Sequence, residues 1–230
     1  MKKLLILVLF ISALGACRYR TGSGNIITES RNTGAFSGIK VGGGFDVEVK
    51  TGPTSVVVES DDNIIRYIET DVVDGELRIR LDRINVRDAH LKVYVASPDI
   101  YNIKASASAD VDVRDVMRSG HEIKLQSSSG SQVKASIDAP EVYGDASSGG
   151  EINLSGRTKN FKAVSSSGSS VNAMELLSEN TIVNTSSGGS ARVHASLTLD
   201  ITASSGSNVT YKGGANVKQS VSSGAEVEKE

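Results

Sequence analysis

The chain has 230 residues, 38% hydrophobic and 23% charged, with 23 glycines, three prolines, one cysteine and no tryptophan. Twenty-five basic against 27 acidic residues give a net charge of −2, which excludes the strongly basic balance of a nucleic-acid-binding surface. A lone cysteine excludes an intrachain disulfide.

Lys2 and Lys3 precede an apolar run from Leu4 to Leu14, interrupted only by Ser12, and then Gly15-Ala16-Cys17. A membrane-spanning helix needs about 20 apolar residues, so this shorter run reads as a signal peptide with small residues at its cut. The tetrad Leu14-Gly15-Ala16-Cys17 resembles the lipobox of bacterial lipoproteins. That resemblance implies cleavage before Cys17 and acylation of its sulfur with palmitate-type chains. Two or three chains anchor stably where a single one binds only marginally. Arg18 follows in place of Asp, which by the same resemblance directs the protein to the outer membrane. Without Lys2 and Lys3, 23 basic residues face 27 acidic ones, so the exported part is mildly acidic.

Four segments are expected: residues 1–17, the lipoprotein signal peptide; 18–34, a tether and first strand; 35–104, an irregular β-rich part with one short helix; and 105–230, a repeat array. In the third segment Ala35 to Val41 and Phe45 to Lys50 read as strands around Gly42-Gly43-Gly44. Val47 and Val49 stand three and five residues after Gly44, as a degenerate first rung would place them. Thr54 to Glu59 is a further strand. Ile64, Ile65 and Ile68 fall on one helical face and predict a short helix over 62–69. Asp74-Gly75 offers a tight turn into Leu77 to Leu81, and Leu91 to Ala96 repeats the same alternation. Antiparallel hairpins over 35–96, forming a separate β-sandwich, are an open alternative.

The tripeptide Ser-Ser-Gly organises the remainder. Its glycines are Gly130, Gly149, Gly168, Gly188, Gly206 and Gly224, at intervals of 19, 19, 20, 18 and 18 residues. Three residues after each come Val133, Ile152, Val171, Ala191, Val209 and Val227, while the residues two and four after each are all polar. Seven before each stand Ile123, Val142, Phe161, Thr181, Leu199 and Val217. Alternation with period two predicts strands with one buried and one wet face on both sides of each tripeptide. A unit of about 19 residues (strand, bend, strand, return turn) cannot bury its own apolar side, so the units must stack. The predicted fold is all-β, a single-stranded parallel β-helix or β-solenoid. At about 4.8 Å per rung, six rungs make a rod of about 29 Å.

The serines form two ladders. By alternation, Ser129, Ser148, Ser167, Ser187, Ser205 and Ser223 point inward, where hydroxyls that both donate and accept can satisfy one another. Ser128, Ser147, Ser166, Ser186, Ser204 and Ser222 then face solvent and are the candidate ligand-facing array. The blander reading is that small residues are what a tight bend accommodates.

Gly24-Asn25-Ile26, Phe36-Ser37-Gly38-Ile39, Gly43-Gly44-Phe45-Asp46-Val47-Glu48-Val49, Asp74-Gly75-Glu76-Leu77 and the Ser-Ser-Gly rungs together resemble the putative auto-transporter adhesin, head GIN domain family, over about 24–228. The resemblance implies an exported, often lipidated β-helical protein with a binding, adhesive or scaffolding role at the cell envelope. No catalytic, cofactor-binding or metal-ligating residue is expected. Gly-x-Ser-x-Gly is absent, His90, His121 and His194 lie far apart without ligand spacing, and Asp138, Asp145, Glu151, Asp200, Glu226 and Glu228 occupy different rung positions. Asp110 and Asp112 invite pairing with a neighbouring rung's cation, and the Glu226-to-Glu230 tail reads as charge that discourages strand addition. The expected partners are the membrane, through acylated Cys17, and an envelope polysaccharide or protein. A polysaccharide-active enzyme of the β-helix type is the alternative. Convergence of three or more ionisable side chains in one cleft would favour it.

Overall fold

The computed structural model describes residues 19–230, so the signal peptide and Cys17 lie outside the described residues. Nineteen strands run in chain order: β1 Tyr19–Thr21, β2 Ile26–Arg31, β3 Gly38–Gly42, β4 Asp46–Thr51, β5 Ser55–Asp61, β6 Ile68–Val73, β7 Glu76–Leu81, β8 Asn85–Arg87, β9 Leu91–Ser97, β10 Asn102–Ser106, β11 Asp110–Arg118, β12 Ile123–Ser128, β13 Gln132–Ser147, β14 Glu151–Ser165, β15 Ser170–Thr185, β16 Ser190–Ala203, β17 Asn208–Lys212, β18 Asn216–Val221 and β19 Glu226–Lys229. Seventeen belong to one continuous sheet wound into a parallel β-solenoid.

From Asn102 onward seven coils stack in chain order, each an arm, a serine or alanine turn, and a second arm. The arms are strands because apolar and polar residues alternate at the strand period. Every coil presents an aliphatic residue at the same height in its second arm. Val93, Val47, Val111, Val133, Ile152, Val171, Ala191, Val209 and Val227 are successive register partners. From Val93 to Val209 this column is 0–2% exposed and forms the spine of the core. The return is no separate turn. Strands β13 to β16 run through it unbroken, bending where two successive residues face out, as at Pro140-Glu141 and Lys159-Asn160.

The N-terminal segment enters the same stack out of sequence order. The coil of β3 and β4 lies in parallel register on β10 and β11 on one side, and on β7 and β9 on the other. The degenerate rung is therefore a true coil, but it is second along the axis; the outermost layer is built by residues 76–97, which return over it. Counting these two with the later seven gives nine coils and, at about 4.8 Å per coil, a stack roughly 43 Å long. A separate antiparallel sandwich does not form, because β3 and β4 carry ladders of the solenoid itself. Antiparallel pairing is confined to the end, where β6 pairs with β7 through the left-handed Asp74-Gly75 turn, β5 with β9, and β2 with β5.

The predicted helix over 62–69 reduces to one 3₁₀ turn, Ile65–Tyr67. Its isoleucines behave as the pattern required: Ile64, Ile65 and Ile68 are all buried and plug this end of the core. One turn suffices because the strand of Ile68 must start at once to pair with Leu81.

Candidate functional site

The Ser-Ser-Gly turns form a ridge along one edge of the solenoid. In each, the second serine and the glycine both have positive φ, for example 54° at Ser129 and 71° at Gly130, and in all but the turn at Gly206 the flanking residues close it, as in Ser131 N–H to Ser128 O at 3.2 Å. Two left-handed central residues are the type I′ pattern. Turns are also tied coil to coil: Gly130, Gly149, Gly168, Gly188 and Gly206 each donate their N–H to the carbonyl of the left-handed serine one coil on, at 3.0–3.2 Å.

This geometry corrects the inward assignment of one serine ladder. Ser129, Ser148, Ser167, Ser187, Ser205 and Ser223 are exposed at the tips of the turns. Reversal through two left-handed residues interrupts the alternation that placed them inside. The inward hydroxyls belong instead to the residues just before and after each turn. Ser127 and Ser131 meet Oγ to Oγ at 2.8 Å, Ser165 and Ser169 at 2.9 Å, and Thr185 reaches Ser207 at 2.9 Å. Ser169 also donates to Ala146 O at 2.7 Å and accepts the Ser166 N–H at 3.0 Å. Between these serines the post-turn position alternates with Gly150 and Gly189. A Cβ on Gly150 would lie 2.3 Å from Ser127 O, and one on Gly189 2.5 Å from Ser165 O. The candidate array of Ser128, Ser147, Ser166, Ser186 and Ser204 is half-buried on the flank of the ridge, and Ser222 is exposed in the last coil.

A different feature gathers the polar side chains. Across the outer face of the second arms runs a groove of about 430 Å³, crossing coils rather than following one strand. Lys134, Asn153, Asn172 and Arg192 are register partners in four successive coils and line it, with Leu154 and Met174 as its apolar floor. The coil of β15 is one residue longer there: Asn153 opposes Asn172, but Ser155 opposes Glu175. This bulge turns Met174 inward and Glu175 outward, and bulges characteristically re-aim side chains beside sites. The register Lys-Asn-Asn-Arg is legible in the sequence once the coils are aligned; the bulge is visible only as the one 20-residue interval.

Ionisable groups do meet in this groove, where Lys134, Glu175, Arg192, Lys212 and Glu230 all reach it. Both carboxylates are paired, Glu175 with Lys212 at 3.2 Å and Glu230 with Arg192 at 3.6 Å. A second gathering of charge lies nearer the N-terminal end, where Asp46 and Asp110 are register partners, as are Glu48 and Asp112. Arg114 binds Glu48 at 3.0 Å and Asp112 at 2.7 Å, and hydrogen bonding from Lys50 and Arg114 holds the Glu48 carboxyl below its ordinary value. Asp112 thus finds its cation on its own strand. Asp110 moves the other way: burial, then Asp46, Asp112 and Glu151, push its carboxyl up against the pull of Lys134.

Asp138 and Asp145 act between coils, whereas Glu151 accepts from the Asn153 side-chain amide on its own strand at 2.7 Å. Arg157 grips Asp138 with two bonds of 2.9 and 2.8 Å, holding that carboxyl low, and Gln126 reaches Asp145 at 3.5 Å. His90 bonds Glu59 at 2.7 Å and His121 packs on Tyr101, so the histidines stay apart. Among the described residues no group of three or more His, Cys, Asp or Glu is placed to hold a metal ion.

Residues 35–215 match the family described as putative auto-transporter adhesin, head GIN domain. The chain belongs to this family. Solved structures share the fold. A putative adhesin from Bacteroides fragilis NCTC 9343 superposes with a TM-score of 0.82 at 18% identity, covering 91% of this chain and 98% of its own. A putative adhesin from Parabacteroides distasonis ATCC 8503 gives 0.75 at 21% identity, and a putative lipid binding protein from the same strain gives 0.75 at 17%; each match covers 93% of this chain and all of the other. No curated protein is similar in sequence. The family places this head GIN protein among proteins of the cell envelope or surface. No helix among the described residues is long and apolar enough to cross a membrane.

Proposed function

We propose that this head GIN protein is an envelope-anchored, non-catalytic binding protein, acylated at Cys17 and held at the outer membrane, whose second-arm groove receives an extended polar polymer. The groove carries this reading. It presents one hydrogen-bonding side chain per coil along Lys134, Asn153, Asn172 and Arg192, at the solenoid's spacing of about 4.8 Å. A repeating ligand laid along the axis meets a repeating set of donors, with Leu154 and Met174 beneath it. The adhesin description of the family supports a binding role. The serine ridge, with its backbone committed to the turn ladder and its inner hydroxyls to one another, is assigned to structure rather than to the ligand.

A polysaccharide-active enzyme is the competing reading, favoured by the five ionisable side chains that meet at the groove. Glu175 and Glu230 instead pair with Lys212 and Arg192 at the groove's rim, which supports a charged wall for a polar ligand. Screening soluble residues 18–230 against envelope polysaccharides, with chain-length analysis of the recovered polymer, tests the proposal. Retention of intact polymer is expected; shortened products would select the enzyme. Anchoring is tested separately, since Cys17→Ala should abolish fatty-acid labelling, and persistent labelling would refute the lipobox reading.

A further inference from the structure

We infer that the N-terminal end of the solenoid carries a membrane-apposed face, made by β1, β8 and the 3₁₀ turn, that rests on the anionic headgroups of the leaflet holding the acyl anchor. The inference rests on acylation of Cys17 and adds an orientation to it. Tyr19, the first residue of β1, stands two positions after Cys17, so their Cα atoms can be no more than about 7 Å apart. That is within a Debye length of the headgroups at physiological ionic strength, about 8 Å. Strand β1 is in turn fixed to the solenoid end by its pairing with β8: Tyr19 with Asn85, Arg20 with Val86 and Thr21 with Arg87.

The side chains held at that point suit a lipid surface. Tyr19 is 54% exposed, with the Arg87 guanidinium 5.2 Å from its ring centre. Arg20 and Arg66 flank Tyr67 at 4.7 and 5.0 Å. Arg83 follows Asp82, whose N–H bonds Tyr67 O, and its side chain is 93% exposed. Three arginines thus pack on two tyrosines with Arg83 beside them, while the nearby acids Asp61, Asp62 and Asp82 are engaged, Asp61 by the Gly24 N–H, Asp62 by Ser23 and Asn25, and Asp82 by Arg83. Every cation here is arginine, in a chain that is mildly acidic as a whole. Tyrosines place a ring at the apolar boundary and a hydroxyl in water, and arginines bind phosphate in a forked geometry. Basic residues next to an anchor bind anionic leaflets, each adding to the hold. The opposite end differs: its last coil carries Glu226, Glu228 and Glu230 against Lys218 and Lys229, a net negative charge, and has no arginine.

The chain's lack of tryptophan supplies the test. Full-length acylated protein carrying Tyr67→Trp, on the face but 50 residues from the anchor, is reconstituted in vesicles of phosphatidylcholine and phosphatidylglycerol in equal parts, and Val221→Trp, at the far end, serves as the comparison. Lipids brominated near the headgroup should strongly quench the indole fluorescence of the Tyr67→Trp protein and leave that of the Val221→Trp protein unchanged. Adding Arg20→Glu, Arg66→Glu and Arg87→Glu together should bring quenching at position 67 down toward the level of position 221, as should vesicles of phosphatidylcholine alone. Equal quenching at both positions, or none at position 67 in labelled, vesicle-bound protein, would overturn the orientation while leaving acylation intact. Absence of fatty-acid label on the same preparation would instead remove both.

Discussion

At the scale of single residues, hydroxyls one or two positions apart do different work. Ser169 sits inside, where its Oγ links Ser165 Oγ, Ser166 N and Ala146 O. Ser167, two residues earlier, is exposed at a turn tip. Ser169→Ala removes three hydrogen bonds of a buried hydroxyl and should cost about 1–3 kcal/mol, whereas Ser167→Ala should stay within about 0.5 kcal/mol. Urea midpoints of the two variants measure this contrast. Glycines divide in the same way. A methyl added at Gly168 would meet nothing within 4 Å, so Gly168→Ala carries only the left-handed penalty, about 1–2 kcal/mol. Gly150→Ala drives a methyl into the Ser127 carbonyl and should cost about 3 kcal/mol or more. The sequence marked each turn but not which serine lay within, because alternation holds along a strand and two left-handed residues cancel it.

Among elements, the legible part was what repeats locally. The aliphatic column and the strands flanking each Ser-Ser-Gly follow directly from period two and the roughly 19-residue spacing. The order of coils was not legible. That β7 and β9 lie beyond β3 and β4 depends on pairings between residues some 40 positions apart, such as Ile39 with Leu77, and no local pattern encodes them. The same stacking creates an electrostatic cost. Setting β4 on β11 brings Asp46 beside Asp110, and the Asp110 carboxyl is raised by burial and by its acidic neighbours. The folded state therefore binds that proton more tightly than the unfolded chain does. Charged Asp110 lowers stability above its folded pKa, and the effect vanishes below the ordinary aspartate value of about 3.9. Asp110→Asn should raise stability at pH 7 by roughly 0.5 kcal/mol, with the gain gone near pH 3. Thermal melts of both proteins across this range show the sign directly; a gain that persists at pH 3 would point to packing instead of charge.

For the whole molecule, stacking converts a short polar pattern into a surface no single coil possesses. Lys134, Asn153, Asn172 and Arg192 are scattered over nearly 60 positions of sequence and become one line across four coils. Their alignment could be read from the repeat, whereas the groove they line needed the β15 bulge, a one-residue irregularity with no composition signal. On the proposed reading, anchoring falls to the arginine face at one end and binding to the groove along the flank.

A groove that binds polymer and leaves it whole is tested most directly by comparing retention of envelope polysaccharide by the wild-type protein and by the double variant Asn153→Ala, Asn172→Ala, with the length of the recovered chains measured. Each lost hydrogen bond to the ligand is worth about 1 kcal/mol, so at least a roughly tenfold weakening is expected, with the polymer recovered at its original length. Undiminished retention by the double variant, or shortened chains with either protein, would contradict this role.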